Sequence, residues 1–170
     1  MAQGGSWRHG ASPAWFAWIA LITVQLVLSP FLYSQSGLAA ARVAGWVTWC
    51  VMCIFAWWPV VELRRRGGIA KGASYTRTTT LVDSGPYAIV RHPQYLSFIL
   101  LSSSLALIVQ DWWIACLGAA AITLVCARIV PQAERLNRER FGSDYLAYSE
   151  RVPRLNALAA LVRALRPTRL

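Results

Sequence analysis

The sequence predicts an all-α integral membrane protein. It should have about four transmembrane helices, including a tight helical hairpin towards the C-terminus, plus a cytoplasmic loop and short amphipathic C-terminal helices. Three observations carry this. The 170 residues are 56% hydrophobic, with a mean hydropathy of +0.43, above the roughly 45–50% apolar share usual in soluble domains. The apolar residues fall in runs long enough to cross a bilayer. The net charge of +10 lies beside those runs, so an anionic membrane face, and not nucleic acid, is the expected partner. The chain therefore reads as one membrane domain, 1–170. Two N-terminal spans (1–61) precede a loop (62–93), a hairpin (94–130) and a C-terminal segment (131–170).

Residues 1–12 are a short polar lead with Arg8 and His9. The first apolar run extends from Pro13 to Tyr33, long enough to span a bilayer. Leu38-Ala39-Ala40 resembles a small-residue cleavage site, but the apolar run is longer than a signal core usually is. The second span covers about Val43 to Val61. Trp46, Trp49, Trp57 and Trp58 sit near its ends or flanks, as interfacial aromatics do. Cys50-Val51-Met52-Cys53 has the spacing of a redox or zinc pair, but Trp49 and Phe55 offer no polar setting. Cys116 and Cys126 are also in apolar segments, so no metal site is expected.

The loop over 62–93 is basic (Arg64, Arg65, Arg66, Lys71, Arg77, Arg91) and rich in Thr, Ser and Gly. A connection of this length is either disordered or functional. Thr78-Thr79-Thr80-Leu81-Val82 reads as a short extended piece before a turn at Ser84-Gly85-Pro86. The third span runs from about Gln94 to Val109 and the fourth from Trp112 to Val130. Only Gln110-Asp111 separates them, which implies a hairpin. Pro131 is expected to end the fourth helix. Residues 132–154 are strongly charged, with a break at Gly142. Leu155, Leu158, Leu161, Val162 and Leu165 form one apolar stripe, the mark of an interfacial helix.

Six basic residues lie in the long loop, nine from Arg128 onward and one before the first span; only Arg42 falls in the opposite connections. The positive-inside rule then places both termini and the loop in the cytoplasm, with a bacterial inner membrane a natural setting for so compact a multi-pass chain. Segments 75–95 and 131–154 face the same compartment and flank the same hairpin, so they should meet at its mouth.

Two clusters can carry chemistry. In Gly85-Pro86-Tyr87-Ala88-Ile89-Val90-Arg91-His92-Pro93-Gln94-Tyr95, Pro93 biases His92 towards extended backbone and suits the first turn of a helix. A cation, an imidazole and free backbone N–H groups then converge at a helix N-terminus, a place suited to anionic groups. The bland alternative is a surface anchor, with Arg91 on lipid phosphate and Tyr95 in the aromatic belt. The second cluster runs from Glu134 through Phe141-Gly142, Tyr145 and Tyr148 to Arg151-Val152-Pro153-Arg154. Glu134 lies one turn past the fourth span, where a carboxylate can hold ribose hydroxyls or an ammonium group. Glu139 and Asp144 read as ordinary partners in surface ion pairs.

In this order around a hairpin, the two clusters resemble the isoprenylcysteine carboxyl methyltransferase and phospholipid methyltransferase superfamily. The resemblance covers about residues 75–154. It implies an integral-membrane enzyme using S-adenosylmethionine, with the cofactor between the Arg-His-Pro loop and the C-terminal segment. Tyr87, Arg91, His92, Pro93, Tyr95 and Glu134 are the implied cofactor residues. His92, Arg91 and Arg151 are the implied catalytic ones, and Tyr145 and Tyr148 the residues that close over substrate. This chain has Ala133-Glu134 where the family usually has paired glutamates, and Ser97 where glycine is common. The expected acceptor is lipidic or small and apolar, with a carboxylate, thiol or amine nucleophile at headgroup level. An NADPH-dependent reductase of the sterol-reductase type and a non-catalytic membrane protein of the same layout are the alternatives.

Overall fold

The computed structural model describes residues 12–156. The amphipathic stripe expected over 155–165 falls outside them from 157 onward. The order of elements is α1 (Pro13–Leu28), α2 (Ala39–Arg66), the short α3 (Pro86–Ile89), α4 (Pro93–Val109), α5 (Trp112–Leu124), one π-helical turn (Val125–Ile129) and α6 (Val130–Arg151). No strand occurs among the described residues, and 78–82 is irregular. Thr79 folds back on the end of α2 instead, its N–H and Oγ1 donating to the carbonyls of Gly67 and Gly68 at 2.8 Å each.

Two helical runs are long and apolar enough to cross a membrane, α2 and Trp112–Arg151, the second kinked at Gly142; α1 and α4 are apolar but shorter. At about 1.5 Å per residue, α2 is roughly 42 Å long and exceeds the hydrocarbon thickness. Large apolar side chains stand on the outer surface, among them Phe31, Trp57, Trp112 and Trp113, each at least 66% exposed. Water penalises such a surface, whereas a bilayer solvates it.

Small residues and polar clamps hold the bundle. A Cβ on Gly45 of α2 would lie 2.7 Å from Ile108 Cγ1 and 3.0 Å from the Ile108 backbone nitrogen. Without side-chain bulk there, α2 packs closely along α4, as small residues allow in membranes. Gln25 of α1 is fully buried, and its Nε2 donates to the carbonyls of Ser102 and Ile114, both at 3.2 Å, tying α1 to α4 and α5. Between α4 and α5, Gln110 adopts φ 57° and ψ 40°. Its side chain exchanges two hydrogen bonds with the Leu38 backbone, at 2.7 and 2.8 Å. Asp111 caps α5 by accepting from the N–H groups of Trp113 and Ile114.

Pro131 does not end the fourth helix; the helix continues past it into α6. Proline lacks an N–H and its ring crowds the carbonyl four residues earlier. The π turn just before it, in which the Val130 N–H donates to the Val125 carbonyl, widens the helix where that conflict arises. The break at Gly142 is present, with φ 53° and ψ −126° inside α6. These values suit glycine alone.

Gly45→Val is expected to destabilise the protein by about 1–3 kcal/mol through overpacking against α4, read as a lower midpoint of thermal unfolding in detergent micelles.

Candidate active site

The site is assembled where α2 ends and α4 begins. Gly85 takes φ 59° and ψ −129°, a conformation essentially restricted to glycine, and turns the chain into α3. Residues 90–92 then run beside the segment that follows α6. The Arg91 N–H donates to the Pro153 carbonyl at 2.9 Å and the His92 N–H to the Arg154 carbonyl at 3.2 Å. His92 is the N-cap of α4 and Pro93 occupies its first turn. The two sequence clusters thus meet by main-chain hydrogen bonds as well as through side chains.

Glu134 is the hub. Its side chain is 4% exposed, and its Oε1 accepts from His92 Nε2 at 2.6 Å and from the Tyr145 hydroxyl at 3.0 Å. Oε2 accepts from Arg91 Nη1 at 2.9 Å, with Arg154 Nε at 3.5 Å and Arg138 Nη2 at 3.8 Å. Arg91 and His92 are themselves 9% and 4% exposed. The π turn sets the register of α6 that aims Glu134 at these partners.

Burial raises the Glu134 pKa, but the His92 hydrogen bond and charge, the Arg91 guanidinium and the Tyr145 hydroxyl outweigh it, leaving a pKa of about 2. For His92, burial lowers the pKa below 6.5; the Glu134 contact opposes this, and Arg91 and Arg154 add to it. An ionised Glu134 can only accept, so the neutral imidazole is assigned its proton on Nε2, leaving Nδ1 as the acceptor atom. Tyr145 is raised to about 12 by burial, and Tyr87 and Tyr148 rise for the same reason. All three are neutral hydroxyls near pH 7.

Against this network lies a cavity of about 220 Å³. Arg91, His92, Pro93 and Tyr95 line one side, with the His92 and Tyr95 rings stacked at 5.4 Å. Tyr145 and Tyr148 of α6 line another, and the Tyr148 hydroxyl donates to the Tyr87 carbonyl at 2.6 Å. Trp15 and Phe98 supply an aromatic edge on the side of α1 and α4. No Asp or Glu lies among the described lining residues, whereas Arg91 and Arg140 do.

Tyr87, Arg91, His92, Pro93, Tyr95, Tyr145 and Tyr148 therefore gather around one cavity. Glu134 does not line it; its carboxylate stands behind the wall and holds residues that do. Arg151 is also outside the lining, 68% exposed and 3.7 Å from Asp83. Sequence reasoning did not single out Arg140, whose Nη1 donates to the Thr76 carbonyl at 3.2 Å and Thr78 Oγ1 at 3.3 Å. This joins the long loop to α6. Nothing in the local pattern of charges distinguishes Arg140 from Arg135 or Arg138.

Removing the Glu134 charge leaves a buried Arg91 uncompensated. Glu134→Gln is expected to cost about 3 kcal/mol, measured by unfolding in detergent. Stability from the depressed Glu134 pKa is complete above pH 4.5 and lost as pH falls towards 2. The lowered His92 pKa adds a loss as pH drops below 6.5. The lower of the two steps is expected to vanish in Glu134→Gln.

Comparison with known proteins gives two matches and one blank. The model of the isoprenylcysteine carboxyl methyltransferase family matches residues 49–138. Protein-S-isoprenylcysteine O-methyltransferase B of Arabidopsis thaliana is 29% identical over 99 residues, covering 54% of this chain and 50% of the plant protein. The chain thus spans about half the length of the curated relative it matches. No solved structure matches. The family match covers just over half of the chain and contains both Arg91-His92-Pro93 and Glu134, the two halves of the buried network. On that extent of agreement, the chain belongs to the isoprenylcysteine carboxyl methyltransferase family.

Proposed function

We propose that this protein is an integral-membrane, S-adenosylmethionine-dependent methyltransferase acting on a lipidic or small apolar acceptor at the cytoplasmic face. The observation that carries the reading is the cavity bounded by Arg91, His92 and Tyr95 and backed by the buried Glu134 carboxylate. Four spans, α1, α2, α4 and α5, cross the bilayer in this reading. The basic residues at the α2–α4 end favour the cytoplasmic side for the site.

The residues present suit the cofactor. Arg91 Nε is buried and has no partner, so it can still donate to a carboxylate, and burial strengthens such a charge-assisted bond. Tyr87, Pro93 and Tyr95 wall the same space. When bound, S-adenosylmethionine supplies a sulfonium methyl group for in-line displacement. The protein's part is to align the nucleophile and exclude water. His92, held by Glu134 through Nε2, can receive a proton at Nδ1 from a thiol or amine acceptor. A carboxylate acceptor needs no base, and the two guanidiniums in the lining favour it or a thiolate over an ammonium group. Tyr145 and Tyr148 close the cavity on the α6 side. Arg151 serves the acceptor from outside by attracting its anionic group. The aromatic edge of Trp15 and Phe98 faces the apolar part of the acceptor, which enters sideways from the bilayer.

Calorimetric titration of S-adenosylmethionine and S-adenosylhomocysteine into detergent-purified protein tests this, with NADPH as control. Saturable binding of both adenosyl ligands is expected, weakened at least about tenfold by Arg91→Ala, the size of one lost charge-assisted hydrogen bond. Binding of NADPH alone would move the protein to the reductases, and no binding at all would mark it as non-catalytic.

A methyl-transfer assay checks the base. With a thiol acceptor, the rate is expected not to fall through a base ionisation until pH is below 6.5, because the His92 pKa is lowered beneath that value by burial. His92→Ala should remove that acid limb and lower the rate about 100-fold.

A further inference from the structure

Glu62 is a carboxylate placed where helix physics disfavours it. It lies in the last turns of α2, near the negative end of the helix dipole, and is 8% exposed. Arg66 Nε at 3.1 Å offsets part of that cost, but Arg66 is 65% exposed and its contribution is screened. The short contact of Glu62 is with the loop and is partly buried: Ser84 Oγ donates to Glu62 Oε1 at 2.6 Å. The next residue, Gly85, lies so close that a Cβ there would stand 3.2 Å from Glu62 Cδ. Ser84 in turn accepts the Tyr87 N–H at 3.1 Å, and the Tyr87 carbonyl accepts the Tyr148 hydroxyl at 2.6 Å. A continuous chain of hydrogen bonds thus runs from the end of a membrane helix to a wall of the cavity.

We propose that Glu62 is a positioning residue of the active site. It fixes the Ser84-Gly85 turn on α2, and through that turn it sets where Tyr87 and Arg91 stand. Without it, Gly85 loses the surface that holds its left-handed conformation, and α3 keeps its packing against α4 and the Tyr148 hydrogen bond but loses the side-chain tie between its turn and α2. The inference rests on the methyltransferase reading for its effect on ligand binding, but its structural part does not.

The test uses Glu62→Ala, Ser84→Ala, the double variant and Glu62→Gln, the last retaining an acceptor for Ser84. Two quantities are read: amide hydrogen exchange over 84–92 and the dissociation constant of S-adenosylhomocysteine, each with the midpoint of thermal unfolding alongside. Glu62→Ala and Ser84→Ala are each expected to speed exchange over 84–92 while leaving α4 and α5 unchanged. Each should weaken binding roughly tenfold, the size of one lost hydrogen bond to a charged group. The double variant should be no worse than either single one, and Glu62→Gln should recover to within about twofold. Unchanged exchange over 84–92 in Glu62→Ala overturns the proposal, as does a loss confined to the unfolding midpoint. If the unmodified protein binds no adenosyl ligand, the methyltransferase reading falls, and the exchange data still decide the role of Glu62.

Discussion

One buried carboxylate holds the site together. An ionised group 4% exposed survives only when its oxygens are filled by donors, and Glu134 draws those donors from three parts of the chain. Arg91 and His92 come from the segment before α4, Tyr145 from beyond the Gly142 break, and Arg154 from the irregular segment after α6. The cost of burying Glu134 or Arg91 alone is several times the worth of a surface ion pair. The three parts therefore assemble together. The main-chain bonds from Arg91 and His92 to Pro153 and Arg154 follow from the same closure.

The membrane region obeys a related constraint with neutral groups. Lipid offers no hydrogen bonds, so polar atoms there must be satisfied by protein. Gln25 Nε2 does this by bridging carbonyls of α4 and α5, although Gln25 Oε1 has no partner, and Gln110 by pairing with the Leu38 backbone at the other end. Such contacts are worth little individually. They matter because they fix which helix faces which, and thereby set α4 and α5 as the frame from which His92 and Glu134 project.

Much of the site was legible because its residues are chemically conspicuous where they stand. An Arg-His-Pro run at a helix start and a lone Glu just past a span are costly without a purpose. Their meeting follows from the two-residue link at Gln110-Asp111. Two features were not legible. Glu134 reads from sequence as a ligand-facing carboxylate; folded, it faces Arg91, His92 and Tyr145, since these buried donors need an anion. Nothing in the sequence marks Glu62, because its partner Ser84 is 22 residues away across a loop with no periodicity to betray the contact.

By itself the sequence determined the helical class, the positions of the apolar helices, the break at Gly142 and the pairing of the two polar clusters. All of these depend on local hydrophobicity, on proline and glycine chemistry, or on chain length between neighbours. The tertiary structure alone decided the passage of the fourth helix through Pro131, the inward role of Glu134 and the placement of Arg151 outside the cavity. Each depends on which atoms approach within hydrogen-bonding distance. A shift of one residue in a helix turns a side chain by about 100°, and the π turn at Val125–Ile129 makes such a shift at a place the apolar pattern does not mark.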